Sequence, residues 1–166
     1  MAEICILWDD SHIWGLLAQR ALVALGLAPR LVTGREVAEG LLAADRPKVL
    51  LVPGGHARAK QAALGSEGIE AVRAFVREGG GYLGFCGGAG LGLSGGGLSL
   101  CPWCRKPFDS RMQHFVSGAM RILPGEPDPF VPHVAHDSTT DTEFPVWWPG
   151  RFEAAEGEEV TVLARY

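Results

Sequence analysis

The stretch that decides the fold is residues 79–91, which read GGGYLGFCGGAGL. An apolar segment at 82–85 runs into Cys86, and small residues follow at the point where a helix would begin. Glycines on both sides of one reactive residue are typical of a strained strand-to-helix turn, because side chains there would collide with neighbouring backbone. The stretch therefore predicts a nucleophile elbow with Cys86 as the nucleophile.

The predicted turn gives the surrounding backbone a chemical role. The first N–H groups of a helix are unpaired and carry partial positive charge, which stabilises a thiolate. The N–H of Gly87 can face a developing oxyanion, and the loop at 53–56 can supply a second N–H donor because its glycines leave the backbone uncovered. The alternative interpretation is a buried cysteine in a glycine-rich turn that serves packing alone.

Segments before Cys86 alternate between two types. Short apolar runs predict strands at 4–8, 30–32, 48–52 and 82–85, and helical spacing or capping predicts helices at 12–25, 34–43 and 67–78. Strands joined by helices through short turns predict an α/β, flavodoxin-like, doubly wound and mostly parallel sheet with 48–52 at its centre. Ligand sites in such sheets lie beyond the carboxyl ends of the strands, where Gly55 and Cys86 both fall.

The pattern changes after Leu98. Helical periodicity ends, and most of the 11 prolines lie beyond residue 100. Residues 98–166 therefore predict a loop-rich part with antiparallel strands at 98–101, 114–123, 146–148 and 160–164, beside the α/β core of 1–97. A chain of 166 residues is sized for one hydrophobic core, so we expect a single domain, 1–166.

Composition limits the partners. The formal net charge is −4 and the cationic residues are scattered singly, so we expect no nucleic acid partner. The sequence contains no long apolar window and no leader pattern, so we expect a cytoplasmic protein without membrane contact. Four cysteines are too few for a disulfide scaffold. We expect no cofactor, and the sequence does not indicate the oligomeric state.

A thiol nucleophile needs a base, and the chain has five histidines. They are His12, His56, His114, His133 and His136. His56 follows the predicted oxyanion loop and is the nearest choice, while His133 and His136 lie in a proline-flanked loop that can fold over the site. For each histidine, a structural or solvated side chain is the other interpretation.

The segment 101–104, Cys-Pro-Trp-Cys, has the CxxC spacing of a redox pair or of half a zinc site. A zinc site would need two further ligands from the later histidines. We expect unligated thiols and no bound metal, with Cys101 and Cys104 as metal ligands in the alternative interpretation.

These features together resemble the class I glutamine amidotransferase-like superfamily and, within it, the domain at the amino terminus of some biotin-protein ligases. The segments that carry the resemblance are 52–55, 79–91, 117–121, 146–152 and 162–166. In amidotransferases the elbow cysteine attacks a glutamine amide. The resemblance therefore implies Cys86 as nucleophile, Gly55 and Gly87 as oxyanion donors, and a small amide or carboxylate as ligand.

The resemblance also predicts what is missing. A later His-x-Glu or His-Pro-Glu pair completes the amidotransferase triad, and neither occurs in this sequence. Either the chain is truncated at its C-terminus or the domain lacks its base. We expect amide or acyl chemistry with an incomplete triad, inactive in this chain alone. The alternative is a non-catalytic regulatory domain that binds a ligand or a partner.

Overall fold

A computed structural model describes residues 2–105, 117–121, 123–124, 143–147, 152–154, 157, 160–162 and 164–165. The chain divides into two compact units, residues 1–104 and residues 105–166. The boundary lies a few residues after the predicted one at residue 97. That the whole chain forms a single domain stays a prediction.

The first unit is built on a parallel sheet of four strands in the order β2-β1-β3-β4. The strands are β1 (Ile4–Leu7), β2 (Arg30–Val32), β3 (Val49–Val52) and β4 (Gly81–Gly84). Each predicted strand of this sheet is present, with its ends within about one residue of the expected position. The strand β3 is central, as its near-continuous apolar sequence predicts.

Five helices connect and follow these strands. They are α1 (His12–Ala24), α2 (Gly34–Ala38), α3 (Leu41–Asp45), α4 (Ala57–Arg77) and α5 (Gly87–Gly92). The capping box that starts α2 is formed, because Thr33 Oγ1 accepts from the Glu36 N–H and the Glu36 carboxylate accepts from the Thr33 N–H.

Two helix predictions differ from the structure. The single helix expected over 34–43 is two helices, because Gly40 adopts a φ of 96° between them. Helix α4 begins at Ala57, well before the expected start at Glu67, and it continues across a non-helical Gly65. The polar, alanine-rich segment before Gly65 has no apolar period that would have indicated a buried helix.

One face of the sheet carries the hydrophobic core. Side chains of β1, β2 and β3 pack there against α2, α3 and α4. The fully or nearly buried members are Cys5, Leu7, Val32, Val37, Leu42, Leu50, Val52, Leu64, Val72, Phe75, Leu91 and Leu98. The structure thus confirms the α/β, flavodoxin-like class, with parallel strands connected through helices.

Helix α1 buries no apolar side chain, because its one buried residue is Gly15. Its apolar side chains recur at helical spacing, yet Ile13 is 60% exposed and Leu17 is 50% exposed. On the last strand of the sheet Leu83 is 46% exposed, and Phe85, just beyond it, is 51% exposed. The helical spacing of the apolar residues in α1 predicted the helix correctly. These apolar side chains are nevertheless largely exposed and do not form a buried face of the helix.

The second unit contains short antiparallel pairings. Strand β5 (Cys104–Arg105) lies at the boundary, and β6 (Ser117–Arg121), β7 (Leu123–Pro124), β8 (Glu143–Trp147), β9 (Phe152–Glu153) and β10 (Ala164–Arg165) follow. β6 pairs antiparallel with β8, and β7 with β10. The antiparallel character of this part is confirmed, whereas the strand expected at 98–101 is reduced to one bridge, between Cys101 and Leu93.

None of the helices in the described ranges is long and apolar enough to cross a membrane. The cytoplasmic location stays a prediction.

Candidate functional site

Three turns meet at the carboxyl edge of the sheet. They follow β1, β3 and β4 and comprise residues 8–11, 53–56 and 85–87. After β1 the next strand, β2, lies at one edge of the sheet, and after β3 the next strand, β4, lies at the other edge. The carboxyl ends of β1 and β3 therefore flank a topological switch point. Open α/β sheets bind ligands in this crevice.

Cys86 lies at the apex of the third turn with an unusual backbone conformation. Its φ is 50° and its ψ is −107°, and it is the N-cap residue of α5. A non-glycine residue at positive φ is strained, and such strain persists only where the surrounding structure enforces it. Two hydrogen bonds close the turn, from the Gly88 N–H to Phe85 O at 2.8 Å and from the Gly90 N–H to Cys86 O at 3.0 Å. The thiol is exposed.

The turn at Cys86 rests directly on the loop that follows β3. A Cβ at Gly87 would overlap the carbonyl oxygen of Gly55, and a Cβ at Gly88 would overlap the carbonyl oxygen of Val52. The structure therefore brings the backbones of Gly55 and Gly87 together. That their N–H groups bind an oxyanion stays a prediction. In the described part of the chain, neither of their N–H groups donates to an acceptor.

Asp10, which the sequence analysis did not single out, supports the Gly55 loop from the β1 side. Gly55 has a φ of 121°, and a side chain there would overlap the carbonyl oxygen of Asp10. The His56 N–H donates to Asp10 Oδ2 at 2.5 Å. This hydrogen bond is the main reason that the pKa of Asp10 lies below its usual value.

The same carboxylate faces two imidazoles. His56 Nδ1 is 3.3 Å from Asp10 Oδ2, and His12 Nε2 is 3.7 Å from Asp10 Oδ1. The His56 side chain is 89% exposed. No hydrogen bond joins Cys86 Sγ to either of these two histidines, so His56 as base stays a prediction. His114, His133 and His136 lie outside the described residues.

A buried cation lies beneath these turns. Lys60, on the first turn of α4, is completely buried, and its Nζ donates to Asp9 O at 2.8 Å and to Ser11 Oγ at 2.6 Å. Burial lowers the pKa of Lys60, and the nearby charges of Asp10, Asp9 and the Cys86 thiolate act in the opposite direction. A lysine in an alanine-rich segment gives no sequence signal of burial, which is why the sequence analysis missed it.

Tyr82 fixes the other side of the Cys86 turn. Its hydroxyl donates to Gly88 O at 2.6 Å, across the turn from strand to helix. Burial raises the pKa of this phenol, so it stays protonated and keeps donating at any physiological pH.

The other cysteines differ from Cys86 in their surroundings. Cys5 is buried in the core, and burial raises the pKa of its thiol. Cys104 is exposed and Cys101 is half-buried. The described residues contain no group of three or more His, Cys, Asp or Glu that could hold a metal ion. The later histidines proposed as partners of Cys101 and Cys104 lie outside them.

A cavity of about 480 Å³ lies at the opposite, amino edge of the sheet, between α3 and the end of α4. Its lining includes Arg46, Lys48 and Glu78 and no residue of the three turns. It is therefore separate from the candidate site.

Comparisons with known proteins show which family and which fold the chain resembles. Residues 43–95 match a family described as "Biotin-protein ligase, N terminal". The chain resembles that domain. The matched segment contains Gly55, Lys60, Cys86 and Gly87.

The fold is also that of a crystal structure described as a glutamine amidotransferase. The TM-score is 0.63 at 20% sequence identity, and the match covers 99% of this chain and 80% of that chain. No curated protein matches the chain. The resemblance predicted from the sequence, to a class I glutamine amidotransferase-like and biotin-protein ligase N-terminal-like domain, is confirmed.

We predict that Gly87→Ala lowers the free energy of unfolding by about 1–3 kcal/mol, because the added methyl group must displace the Gly55 carbonyl. Gly90→Ala, in the same helix, is the matched control: its Cβ would meet Ala57 Cβ at 3.8 Å, an ordinary contact. We expect it to be neutral or stabilising by up to about 1 kcal/mol. Urea unfolding measures both, and equal effects of the two variants would contradict the close approach.

We predict a pH-dependent effect for Asp10→Asn. The pKa of Asp10 is depressed in the folded state, so its contribution to stability is fully present above the unfolded-state pKa of about 3.9 and disappears as the pH falls through the folded-state value. The stability difference between the parent protein and the variant should therefore be largest near neutral pH and shrink in acid. Urea unfolding at several pH values checks this, with exposed Glu78→Gln as control. A difference that is constant with pH would refute it.

Proposed function

We propose that this domain carries out thiol-dependent amide or acyl chemistry at Cys86. The observation that carries the proposal is the close contact between the backbones of Gly55 and Gly87, next to an exposed cysteine at positive φ. Among the described residues, neither glycine N–H has an acceptor, so both are free to donate to a ligand. Preorganised N–H donors of this kind stabilise the oxyanion of a tetrahedral intermediate. The resemblance to glutamine amidotransferases supports the same reaction type.

The proposed reaction begins with the Cys86 thiolate. Its sulfur attacks the carbonyl carbon of a small amide, and the electron pair of the C=O π bond moves to the oxygen, which accepts hydrogen bonds from the N–H groups of Gly55 and Gly87. Collapse of this intermediate expels the amine, which takes up a proton, and leaves a thioester on Cys86. Water then hydrolyses the thioester to a carboxylic acid and the free thiol.

His56 is the proposed proton carrier. Its Nδ1 lies 3.3 Å from the Asp10 carboxylate, the arrangement in which a carboxylate orients an imidazole and stabilises its protonated form. The exposed imidazole has to turn toward Cys86 to complete a Cys-His-Asp set. Catalytic contacts in ligand-free proteins are commonly long before substrate arrives.

A second candidate function is a non-catalytic domain that keeps the crevice for a small ligand. The observation that favours it is the absence of a hydrogen bond between Cys86 and the described histidines, together with the 89% exposure of His56. The two candidates differ in whether the thiol of Cys86 is activated, since a binding site needs no thiolate.

We predict that Cys86 is alkylated by iodoacetamide at neutral pH faster than an ordinary exposed thiol. Mass spectrometry of peptides after alkylation at several pH values measures each thiol. Cys104, exposed in the same chain, is the internal control. Cys86→Ser should remove the fast phase. If Cys86 follows the same pH profile as Cys104, the thiol is not activated and the binding domain is the better account.

A further inference from the structure

Lys60 is a buried cation for which the proposed reaction has no direct use. Its side chain is completely buried, although it is next to the exposed turns that carry Cys86 and His56. Burying an ammonium group is unfavourable unless hydrogen bonds replace its hydration. The acceptors that replace the water therefore show what the lysine holds in place.

Those acceptors both belong to the turn after β1. Lys60 Nζ donates to Asp9 O and Ser11 Oγ, and the Ser11 hydroxyl in turn donates to Leu7 O at 2.8 Å. The Ser11 N–H also donates to Trp8 O at 3.0 Å. Helix α4 and the end of β1 are thus joined through one buried network, in which Asp9 and Ser11 flank Asp10.

Asp10 transmits this arrangement to the loop after β3. Its carbonyl oxygen lies so close to the α carbon of Gly55 that no side chain fits there, and its carboxylate accepts from the His56 N–H. Gly55 in turn contacts Gly87 beside the thiol. The chain of contacts runs from Lys60 to Asp9 and Ser11, and from Asp10 between them to the backbone of Gly55 and His56.

We propose that Lys60 is a positioning residue, which holds the turn at 9–11 and thereby fixes the Gly55 N–H relative to Cys86. Lys60 touches no reacting atom in this role. The catalytic consequence of this inference rests on the proposed function. The structural consequence rests only on the contacts of Lys60 with the turn at 9–11 and on the contacts of Asp10 with the loop after β3. The two consequences are measurable separately.

The catalytic test compares two reactions of the same thiol in Lys60→Met. Acylation of Cys86 by 4-nitrophenyl acetate passes through an oxyanion, whereas alkylation by iodoacetamide does not. We expect acylation to slow by about 10- to 100-fold, as for a misplaced or lost oxyanion donor, and alkylation to change by less than about twofold. Methionine keeps the approximate length of the side chain and removes the charge and the donors.

The control variant is Lys48→Met. The Lys48 side chain is 74% exposed and pairs with Glu3 at the far edge of the sheet, so both reactions should keep their rates. If Lys60→Met slows alkylation and acylation equally, Lys60 acts through its charge on the thiolate, and the positioning role is overturned. If neither rate changes, the role is overturned as well.

The structural test needs no activity. The His56 amide proton, hydrogen-bonded to a carboxylate, should resonate downfield in the NMR spectrum, move upfield in Lys60→Met and keep its position in Lys48→Met. An unchanged His56 resonance in folded Lys60→Met overturns the positioning role. If the unmutated protein is acylated no faster than a free thiol but His56 moves as expected, the proposed function fails and the positioning role stands.

Ser11→Ala provides a second variant if Lys60→Met does not fold. It removes one of the two Lys60 acceptors and leaves the ammonium in place. We expect the same shift of the His56 amide proton and the same selective loss of acylation, each smaller than in Lys60→Met. Absence of both changes in folded Ser11→Ala overturns the proposal.

Discussion

The contact between the backbones of Gly55 and Gly87 is the constraint on which the candidate site depends. Neither residue can carry a side chain, because a Cβ at Gly87 would overlap Gly55 and a Cβ at Gly55 would overlap Asp10. The close approach joins the turn after β4 to the loop after β3, and that loop to the turn after β1. Three segments far apart in sequence therefore form one surface at the carboxyl edge of the sheet.

Two features keep this surface rigid on either side. On the β4 side, the Tyr82 hydroxyl donates to Gly88 O and holds the start of α5 against the strand. On the β1 side, the buried ammonium of Lys60 joins the turn at 9–11 to α4. The positive φ of Cys86 is maintained between these supports, as expected for a strained residue that persists only where its surroundings determine its conformation. The segment that matches the biotin-protein ligase N-terminal family, residues 43–95, includes the loop after β3 and the turn after β4.

The sequence predicted the sheet well because its signals are local. Apolar runs between turn residues located all four parallel strands. The glycine-rich turns after the third and fourth strands indicated Gly55 and Gly87, and the structure shows that the backbones of these two residues are in close contact. What it missed depends on long-range contacts. The burial of Lys60 requires acceptors some fifty positions earlier in the chain, and the role of Asp10 depends on a loop equally distant. Periodicity likewise cannot distinguish a buried apolar stripe from the exposed one on α1, because both have the same spacing.

The central claim is that the N–H groups of Gly55 and Gly87 form an oxyanion-binding pair beside Cys86. The most direct measurement is a titration of 15N-labelled protein with butyraldehyde, which adds to a thiol to give a hemithioacetal whose oxygen occupies the position of the oxyanion. The account predicts that the amide protons of Gly55 and Gly87 both move downfield as the adduct forms, and that neither moves in Cys86→Ser. Formation of the Cys86 adduct with both resonances unchanged would contradict it.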